Sequence, residues 1–475
     1  MAVLLCVATA VAPQAFGQSL PDLGGGDGAL SPQVERRIGE EYMREIRVNP
    51  AYVGDPEVAD YLNTLGSKLV AVTPGVGFDF EFFAVRDPAI NAFALPGGFV
   101  GVHTGLILAT DNESELASVL AHEISHVTQR HISRMVSAAE QSQLPTAIAV
   151  MAAILLARSR PDLATGAVAM AQARDIQYQL NYTRDFEREA DRIGFQTLAS
   201  AGFDTHAMPA FFEKMQRLTR LADDGTVPSY LRTHPVTSER IADALNRAAD
   251  QPYRQRVDSV EYRLVRAKLR AEIGQPHEAV EHFSAAVRER RYADEAAARY
   301  GLASALLRAG QAGEAADELA RLRRLDVASP MIATLDARIR QARGDDAGAA
   351  AILEQAMAHF AHRKPVLYAY VDLLHQAGRY AEARDLIARE LKLYPRDVRL
   401  HALYAKTYAA LGKKLLQHQA QAEVYVLQGS YPAAIEQLML ARSAGDGDFY
   451  QVSIVEARLK ELREKHAREL RPASR

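Results

Sequence analysis

The hydrophobic pattern changes period several times near the N-terminus. Apolar side chains recur every three to four positions along residues 32–47 and 56–72, which predicts two amphipathic helices. The stretch FDFEFFAV (78–85) alternates with a period of two and is rich in aromatic residues, so it predicts a strand. In NAFALPGGFVGVHTGLI (91–107), Pro-Gly-Gly separates two β-like runs, which indicates a hairpin.

Helical periodicity returns further along the chain. Residues 113–140 predict one long helix, and residues 181–202 predict another that ends at Gly202. Between them lies TAIAVMAAILLA (146–157), which is wholly apolar but only about half as long as a bilayer-spanning helix. Two interpretations stay open, a buried helix or an apolar flap that lies beside a cleft or makes a peripheral membrane contact.

A regular repeat of glycines begins after residue 252. The glycines in question are Gly274, Gly310, Gly344, Gly378 and Gly412. Their intervals are 36, 34, 34 and 34 residues, and a period near 34 with glycine in each turn is the signature of tetratricopeptide repeats. We therefore expect five stacked helix pairs in an all-α solenoid over residues 255–460, followed by a charged C-terminal tail over 461–475.

Smaller features refine the repeat. Gly429 follows Gly412 after only 17 residues, about half a period, so one helix is expected to serve two neighbouring pairs. Ala286, Ala356 and Ala441 each stand twelve residues after a glycine, where a small side chain lets paired helices approach. Stacked helix pairs expose a concave groove, and we expect partner proteins to bind there.

The composition is that of an ordinary globular protein, with 48% hydrophobic and 24% charged residues. A chain of 475 residues is too long for one core, so two or three domains are expected. The formal net charge of −3 gives no sign of a nucleic-acid partner.

The N-terminus reads as a targeting segment. Residues 1–17, MAVLLCVATAVAPQAFG, form a short apolar run that ends in small residues, which is typical of a secretory signal although a basic start is missing. A disordered apolar tail is the alternative. Residues 18–31 are rich in glycine and proline and predict a linker. The only cysteine, Cys6, lies inside the signal, so a chain without it has no thiol.

A metal-binding pattern stands in the helix predicted for 113–140. In HEISH, His122 and His126 are one helical turn apart on one face, where both imidazoles can reach one zinc ion. Glu123 lies beside the first histidine and can take a proton from water, whose pKa zinc lowers toward ~7. An ordinary helix that happens to carry histidines is the alternative.

A second acidic motif can complete the site, because hydrolytic zinc needs a third protein ligand. Glu187 and Asp191 are four residues apart and share one face of the helix predicted for 181–202. Glu187 can be the third ligand, and Asp191 can accept the outer N–H of a ligand histidine. Glu189 points away from that face. An acidic face in solvent is the alternative interpretation.

Three other histidines are weaker candidates. His131 is five positions after His126 and is expected to turn away from the ligand face. His103 and His206 have no partner motif. We expect all three to be structural or exposed.

Four motifs resemble those of the gluzincin metallopeptidases related to the CAAX prenyl endopeptidase. In chain order they are PGGFVGVHTGLI, HEISH, EREADRIG and THPVTSER. The resemblance covers nearly the whole chain after the signal. It implies an α+β, mostly helical fold, with a gluzincin-type zinc metallopeptidase domain over residues 32–252 ahead of the solenoid. It also implies that His122, His126 and Glu187 hold one zinc ion per chain, with Glu123 as general base.

The resemblance assigns roles to two further residues. Asp191 matches a position that supports the metal site or donates a proton, and His234, in THPVTSER, matches a histidine that can approach the zinc. Pro235 favours an extended backbone at His234, which places the imidazole on a loop that can move. As a fourth ligand His234 would close the site, and after swinging away it would stabilise the transition state instead. A surface histidine is the third possibility.

For the form with a secretion signal and a repeat array, the resemblance implies a periplasmic zinc endopeptidase with a chaperone-like role. It would degrade misfolded or stalled outer-membrane proteins and support their assembly, while the array contacts the assembly machinery. The alternative is primarily a tetratricopeptide chaperone or adaptor with a mostly latent protease.

A scaffold with structural zinc fits less well, since structural sites usually close with four ligands, often thiolates, and no thiol is available. The best-known relative that the resemblance brings in is associated with cysteines that link its two parts. Their absence after the signal puts redox control of domain docking in doubt.

Overall fold

A computed structural model describes residues 30–141, 173–221, 228–252, 254, 256–360 and 363–469. The protein is mostly helical, as predicted, with one three-stranded sheet among the described residues. The elements of its N-terminal part are α1 (Pro32–Val48), α2 (Pro56–Val70), β1 (Glu81–Val85), β2 (Ala92–Leu95), β3 (Phe99–His103), α3 (Thr104–Ala109), α4 (Glu113–Thr128), α5 (His131–Gln141), α6 (Ala173–Ser200), α7 (Ala207–Leu221), α8 (Ser229–Thr233) and α9 (Ser238–Ala249). The helices of its C-terminal part are α10 (Val260–Ala271), α11 (Pro276–Arg288), α12 (Glu295–Arg308), α13 (Ala312–Arg323), α14 (Pro330–Ala342), α15 (Asp346–His359), α16 (Lys364–Gln376), α17 (Tyr380–Leu393), α18 (Val398–Ala410), α19 (Lys414–Leu427), α20 (Tyr431–Ser443) and α21 (Phe449–Glu469).

The two N-terminal helices begin where the sequence has start signals. Ahead of α1, the Ser31 hydroxyl accepts a hydrogen bond from the N–H of Val34. Ahead of α2, the Asp55 carboxylate accepts from the N–H groups of Glu57 and Val58. A proline follows each cap, at the helix position where a missing N–H costs nothing. Both predicted helices are confirmed.

The predicted hairpin is confirmed, with a shorter second arm than the apolar pattern suggested. β2 pairs antiparallel with β3 across a turn in which Gly97 and Gly98 have φ values of 78° and 97°. β1 pairs parallel with β3, so the strand order is β1–β3–β2. After His103 the N–H of Gly105 bonds the carbonyl of Asp87, and the chain turns into α3 instead of continuing the strand.

Two predicted boundaries are wrong. β1 begins at Glu81, so the first residues of 78–85 lie outside the strand. The single helix predicted for 113–140 is two helices, because Arg130 adopts a φ of 53° between them. Glycine or asparagine is usual at such a left-handed position, so an arginine there gives no sequence signal. His131 therefore begins a new helix, α5, and does not continue the face of α4.

The sheet separates two hydrophobic clusters and places α4 in the protein interior. Phe82 and Val100 belong to the main core, which includes residues of α2 and α4. On the other face, Phe93 packs in a smaller cluster with Met43 of α1. Every residue from 113 to 127 in α4 is buried. The helix that carries HEISH is thus packed on all sides.

The C-terminal part consists of the predicted helix pairs. The five glycines of the series lie in the turns within pairs and have φ values from 64° at Gly274 to 79° at Gly344. Gly429, with a φ of 72°, joins α19 to α20, and α19 packs against both α18 and α20. The prediction that one helix serves two pairs is confirmed.

Two details of the array prediction are wrong. Ala356 and Ala441 are buried between helices as expected, but Ala286 is half-buried and lines a surface cavity. The last helix, α21, continues past residue 460 to Glu469, so the predicted end of the array falls inside a helix.

The array contacts the N-terminal part through the first helices of its pairs. Lys268 of α10 places its Nζ 2.5 Å from Oδ2 of Asp55 and 2.5 Å from Oε2 of Glu57. Thr334 of α14 donates a hydrogen bond to the same Glu57 carboxylate. We call these four residues, Asp55, Glu57, Lys268 and Thr334, the ionic clasp.

Further contacts continue along the start of α2. Arg363, just before α16, pairs with Asp60 at 2.8 Å. Arg399 of α18 reaches the carbonyl of Gly54 at 3.4 Å. The face of the array that we expected to be open to partners is therefore occupied by residues 54–64 of the same chain.

Several predicted features lie outside the described residues. These are the secretory signal (1–17), nearly all of the linker (18–31) and the apolar stretch 146–157. Within the ranges that the structure describes, no helix has the length and hydropathy that crossing a membrane requires.

Candidate metal centre

α4 supplies the first half of the site. Asn112 caps this helix by accepting a hydrogen bond from the N–H of Glu115 at 2.9 Å. His122 and His126 follow on one face, one turn apart, with ring centroids separated by 4.7 Å. Both side chains are buried.

α6 supplies the second half from the opposite side. Glu187 and Asp191 are both buried and face α4. Gly194 permits this close approach, because a Cβ there would lie 3.1 Å from the backbone nitrogen of His122. As predicted, α6 stops at a glycine, Gly202, which has a φ of 74°.

His234 joins the same cluster from the end of α8. Its backbone has φ −130° and ψ 79°, which lies outside the helical region, as expected before Pro235. The imidazole is fully buried and stacks on Tyr230 with ring centroids 4.9 Å apart. The alternative of a surface histidine is therefore wrong.

Donor atoms of four side chains, His122, His126, Glu187 and His234, lie within 4.8 Å of one another. His122 Nε2 is 3.0 Å from His126 Nε2, 3.2 Å from Glu187 Oε2 and 3.3 Å from His234 Nδ1. Glu187 Oε1 is 3.3 Å from His126 Nε2 and 3.0 Å from His234 Nδ1. Four ligands about 2.05 Å from a tetrahedral zinc ion would be separated by about 3.3 Å. The donor set thus fits one metal ion.

The carboxylate of Glu123 stands beside this cluster. It is completely buried, and neither oxygen accepts a well-oriented hydrogen bond from the described residues. His234 Nε2 lies 3.2 Å from its Oε1. A buried carboxylate without hydrogen-bond donors has an unfavourable free energy, and such groups are usually explained by a functional role. Accepting a proton is a role that these two oxygens can perform.

Asp191 lies behind the cluster and contacts His122. Its Oδ1 is 3.0 Å from His122 Nδ1, the ring nitrogen that faces away from the four donors. Arg240 donates two hydrogen bonds to the same carboxylate, at 2.6 and 2.7 Å. Burial opposes ionisation of Asp191, but Arg240 and His122 outweigh it and lower the pKa of Asp191. The charged carboxylate is therefore available to hold His122.

The cluster itself is strongly polarised. Burial disfavours a charged His122, but Glu187 and Asp191 outweigh it and raise the pKa of His122 to about 9. Burial also opposes ionisation of Glu187, yet His234 and Arg240 hold the pKa of Glu187 well below its usual range. A metal ion binds neutral imidazole, so its binding would release a proton here.

The other candidate histidines and Glu189 are not among the four donor residues. His131 is fully buried, as a structural histidine should be, but its Nδ1 is only 2.8 Å from Nδ1 of His126. Glu189 points away from the four donors, as predicted, and contacts His131 at 3.2 Å. His103 is buried against Phe93, outside the cluster. His206 contacts Asp204 at the start of α7.

Sequence reasoning missed two residues of the site. Arg240, the last residue of THPVTSER, contacts Asp191 and also places its Nη1 3.0 Å from Glu187 Oε2. Its position in that motif was the available signal. Tyr230 supports the His234 ring, and no sequence pattern marks it.

Comparisons with known proteins agree with this geometry. Residues 57–248 match the model of Peptidase family M48, and residues 341–407 match a tetratricopeptide repeat model. The chain is 34% identical to a beta-barrel assembly-enhancing protease of Yersinia pestis over 452 residues, which is 94% of this chain and 91% of that one. It is 33% identical to the protein of the same name from Escherichia coli (strain K12) over 476 residues, or 96% of each chain.

A putative beta-barrel assembly-enhancing protease of Vibrio cholerae is 42% identical over 274 residues, which is 56% of this chain and about half, 55%, of that one. The similarity to the Yersinia and Escherichia proteins extends over both the N-terminal part, which contains HEISH, and the helix pairs of the C-terminal part. The chain therefore belongs to the β-barrel assembly-enhancing proteases, a group of metallopeptidases in peptidase family M48.

Proposed function

We propose that the chain is a zinc endopeptidase whose metal is held by His122, His126 and Glu187. The observation that carries this proposal is the approach of their donor atoms to 3.0–3.3 Å inside a buried site. Two imidazoles and one carboxylate form a ligand set that hydrolytic zinc sites use. We assign residues 32–252 to the peptidase domain and 255–469, up to the end of α21, to the repeat array.

Zinc, when bound, supplies a Lewis acid that activates water and polarises the scissile carbonyl. Glu123 then acts as general base, since its two oxygens lack other hydrogen-bond donors among the described residues and can take a proton and pass it to the leaving amine. Asp191 holds the outer nitrogen of His122, which fixes the nitrogen that faces the metal. Arg240 in turn holds Asp191.

Zinc content and casein cleavage of the wild type and of Glu123→Gln test this assignment. The amide cannot accept the proton, so we expect normal zinc with cleavage lost. Glu213→Gln, the same change at a half-buried glutamate of α7, is the matched control and should keep both properties. Wild-type cleavage by zinc-loaded Glu123→Gln would refute the role of Glu123.

We propose that His234 is an autoinhibitory gate. Its Nδ1 lies among the other donor atoms while its Nε2 faces Glu123, so in this conformation it fills the side of the cluster that substrate and water must use. His234→Ala should keep zinc, because three ligands remain, and should cleave clients faster. Slower cleavage with normal zinc would assign His234 to transition-state stabilisation instead. Unchanged cleavage would remove both roles.

Substrate binding by strand addition is a further part of the proposal. β2 is one of the two edge strands of the sheet, and residues 94–97 border a small cavity together with His126. The N–H of His103 bonds the carbonyl of Asn91, and antiparallel alternation then directs the N–H of Ala94 away from β3. All four residues of β2 are buried in this structure, and an extended client that reaches this edge can pair with it without sequence preference.

Ala94→Pro tests strand addition by removing this N–H without breaking the β2–β3 ladder. We expect a raised KM for extended peptides, with zinc content and circular dichroism unchanged. β3 is the central strand, so a proline at Phe99 or Val100 would break the sheet and could not test the idea. An unchanged KM in folded Ala94→Pro would reject strand addition.

We propose further that the enzyme works in the periplasm, where it degrades misfolded or stalled outer-membrane proteins and supports their assembly. The names of the Yersinia and Escherichia relatives and the signal-like residues 1–17 support this role. The assembly machinery is the proposed partner of the array, and residues 146–157 are proposed to make a peripheral membrane contact.

Full-length Glu123→Gln should retain an unfolded outer-membrane β-barrel protein more than an unfolded cytoplasmic protein of equal length. Equal retention would refute the client class.

A mostly latent protease that serves as an adaptor is the second candidate. The position of His234 within the cluster favours it, because a closed site would be the resting state. In that case His234→Ala would raise cleavage but leave client retention unchanged. Loss of retention in Glu123→Gln at normal zinc would count against the adaptor role.

A further inference from the structure

His126 has a second histidine behind it. Its Nε2 faces the other donors, and its Nδ1 lies 2.8 Å from Nδ1 of His131, with ring centroids 4.8 Å apart and ring planes at 80°. His131 is fully buried, and its other nitrogen, Nε2, lies 3.2 Å from Oε2 of Glu189.

The short contact between the two Nδ1 atoms restricts where protons can be. Two ring nitrogens at hydrogen-bond distance share one proton, because two lone pairs or two N–H groups would repel. If His126 binds metal through Nε2, its Nδ1 carries the proton and donates it to His131. His131 must then carry its own proton on Nε2, where the carboxylate of Glu189 can accept it.

The surroundings hold His131 in the orientation that this arrangement requires. Its ring stacks on Phe186 with centroids 4.3 Å apart and an angle of 13°. Arg134 anchors the carboxylate of Glu189 at 2.8 Å and lies over the same Phe186 ring at 4.6 Å. The new helix start after Arg130 brings His131 to this place, since a continuous helix would have carried it away from His126.

We propose that His131 is a positioning residue that holds His126 in its Nδ1–H form and directs its Nε2 to the metal, with Glu189 as the final acceptor. This inference rests on the proposed zinc site. The two helical ligands would then have different supports. His122 is backed by a carboxylate paired with Arg240, and His126 by a neutral imidazole. Partners of this kind change metal affinity by about 10–100-fold when removed.

The test combines zinc affinity with a direct observation of the tautomers. His131→Phe keeps the ring on Phe186 but removes the acceptor, so zinc affinity measured by chelator competition should fall about 10–100-fold at an unchanged melting temperature of the metal-free protein. His131→Gln offers a carbonyl acceptor and should recover most of that loss. Long-range ¹H–¹⁵N spectra of the zinc-loaded, histidine-labelled full chain should show His131 protonated on Nε2 only.

The possible failures are distinguishable. If His126→Ala binds zinc as tightly as the wild type, the proposed ligand set is wrong. If His126→Ala loses zinc while folded His131→Phe keeps wild-type affinity, the ligand set holds and the role of His131 is refuted. His131 protonated on Nδ1 would also overturn the proposal.

Discussion

Removal of Lys268 from the ionic clasp is the most direct test of how the two parts of the protein are joined. Its Nζ is buried 2.5 Å from two carboxylates, those of Asp55 and Glu57, which belong to the other part of the chain. Burial disfavours the ammonium, but Glu57 and Asp55 outweigh it and raise the pKa of Lys268. Lys268→Met keeps the length of the side chain and leaves both carboxylates without their cation.

The expected cost follows from that geometry. Removing one partner of a buried ion pair typically costs about 3–5 kcal/mol, because the remaining charge is left without compensation. Among the described residues Glu57, which is 8% exposed, keeps the Thr334 hydroxyl as a hydrogen-bond donor, whereas the Asp55 side chain is 22% exposed and open to water. We therefore expect a loss of about 3–4 kcal/mol in the free energy of unfolding for Lys268→Met.

Urea unfolding followed by circular dichroism measures this loss. Arg379→Met, which breaks an exposed ion pair with Glu382 within the same array, is the matched control and should leave the transition unchanged. The triple variant with Lys268→Met, Asp55→Asn and Glu57→Gln should recover much of the stability, since no buried charge is left unpaired. A Lys268→Met transition that coincides with that of Arg379→Met would refute the reasoning.

Three further outcomes follow from the same structure. Glu187→Gln should sharply reduce bound zinc, whereas Glu189→Gln keeps an acceptor oxygen and should not; equal zinc loss measured by atomic absorption would contradict the ligand set. The ionic clasp should weaken in acid. Burial opposes ionisation of Asp55, but Lys268 outweighs this effect and lowers the pKa of Asp55. The stabilisation is therefore present above the unfolded-state pKa and is lost as pH falls through the folded-state pKa. Unfolding midpoints measured between pH 7 and about pH 3 should decline more in the wild type than in Lys268→Met, and parallel curves would exclude this contribution. Removal of zinc by a chelator should lower the melting temperature, because a ligand of the folded state stabilises it by mass action; an unchanged value would mean that the site is empty in the starting protein.

Local patterns in the sequence were sufficient for the parts of the site that lie on regular helices. The i, i+4 spacings of His122 with His126 and of Glu187 with Asp191 place each pair on one helix face, whatever the rest of the chain does. The glycine period predicted the helix pairs for the same reason, since each turn is a local event.

The residues that sequence reasoning missed depend on where chain segments meet. Arg240 and Tyr230 reach the site only through the packing of α8 and α9 beside α6. His131 was expected to turn away because α4 was expected to continue, and the left-handed backbone of Arg130 left no mark in the composition of the segment. Nothing in the residues of α2 indicated that its start would occupy the array, since the clasp joins positions more than two hundred residues apart.

Residues 54–64 compete with partner peptides for the face of the array that they contact. Residues 54–64 are tethered to the helices that they contact, and such an internal ligand acts at an effective concentration on the order of millimolar. A free peptide at micromolar concentration with the same intrinsic affinity is thus at a disadvantage of about a thousandfold. A client that binds several sites at once is therefore favoured on this face over a single short peptide.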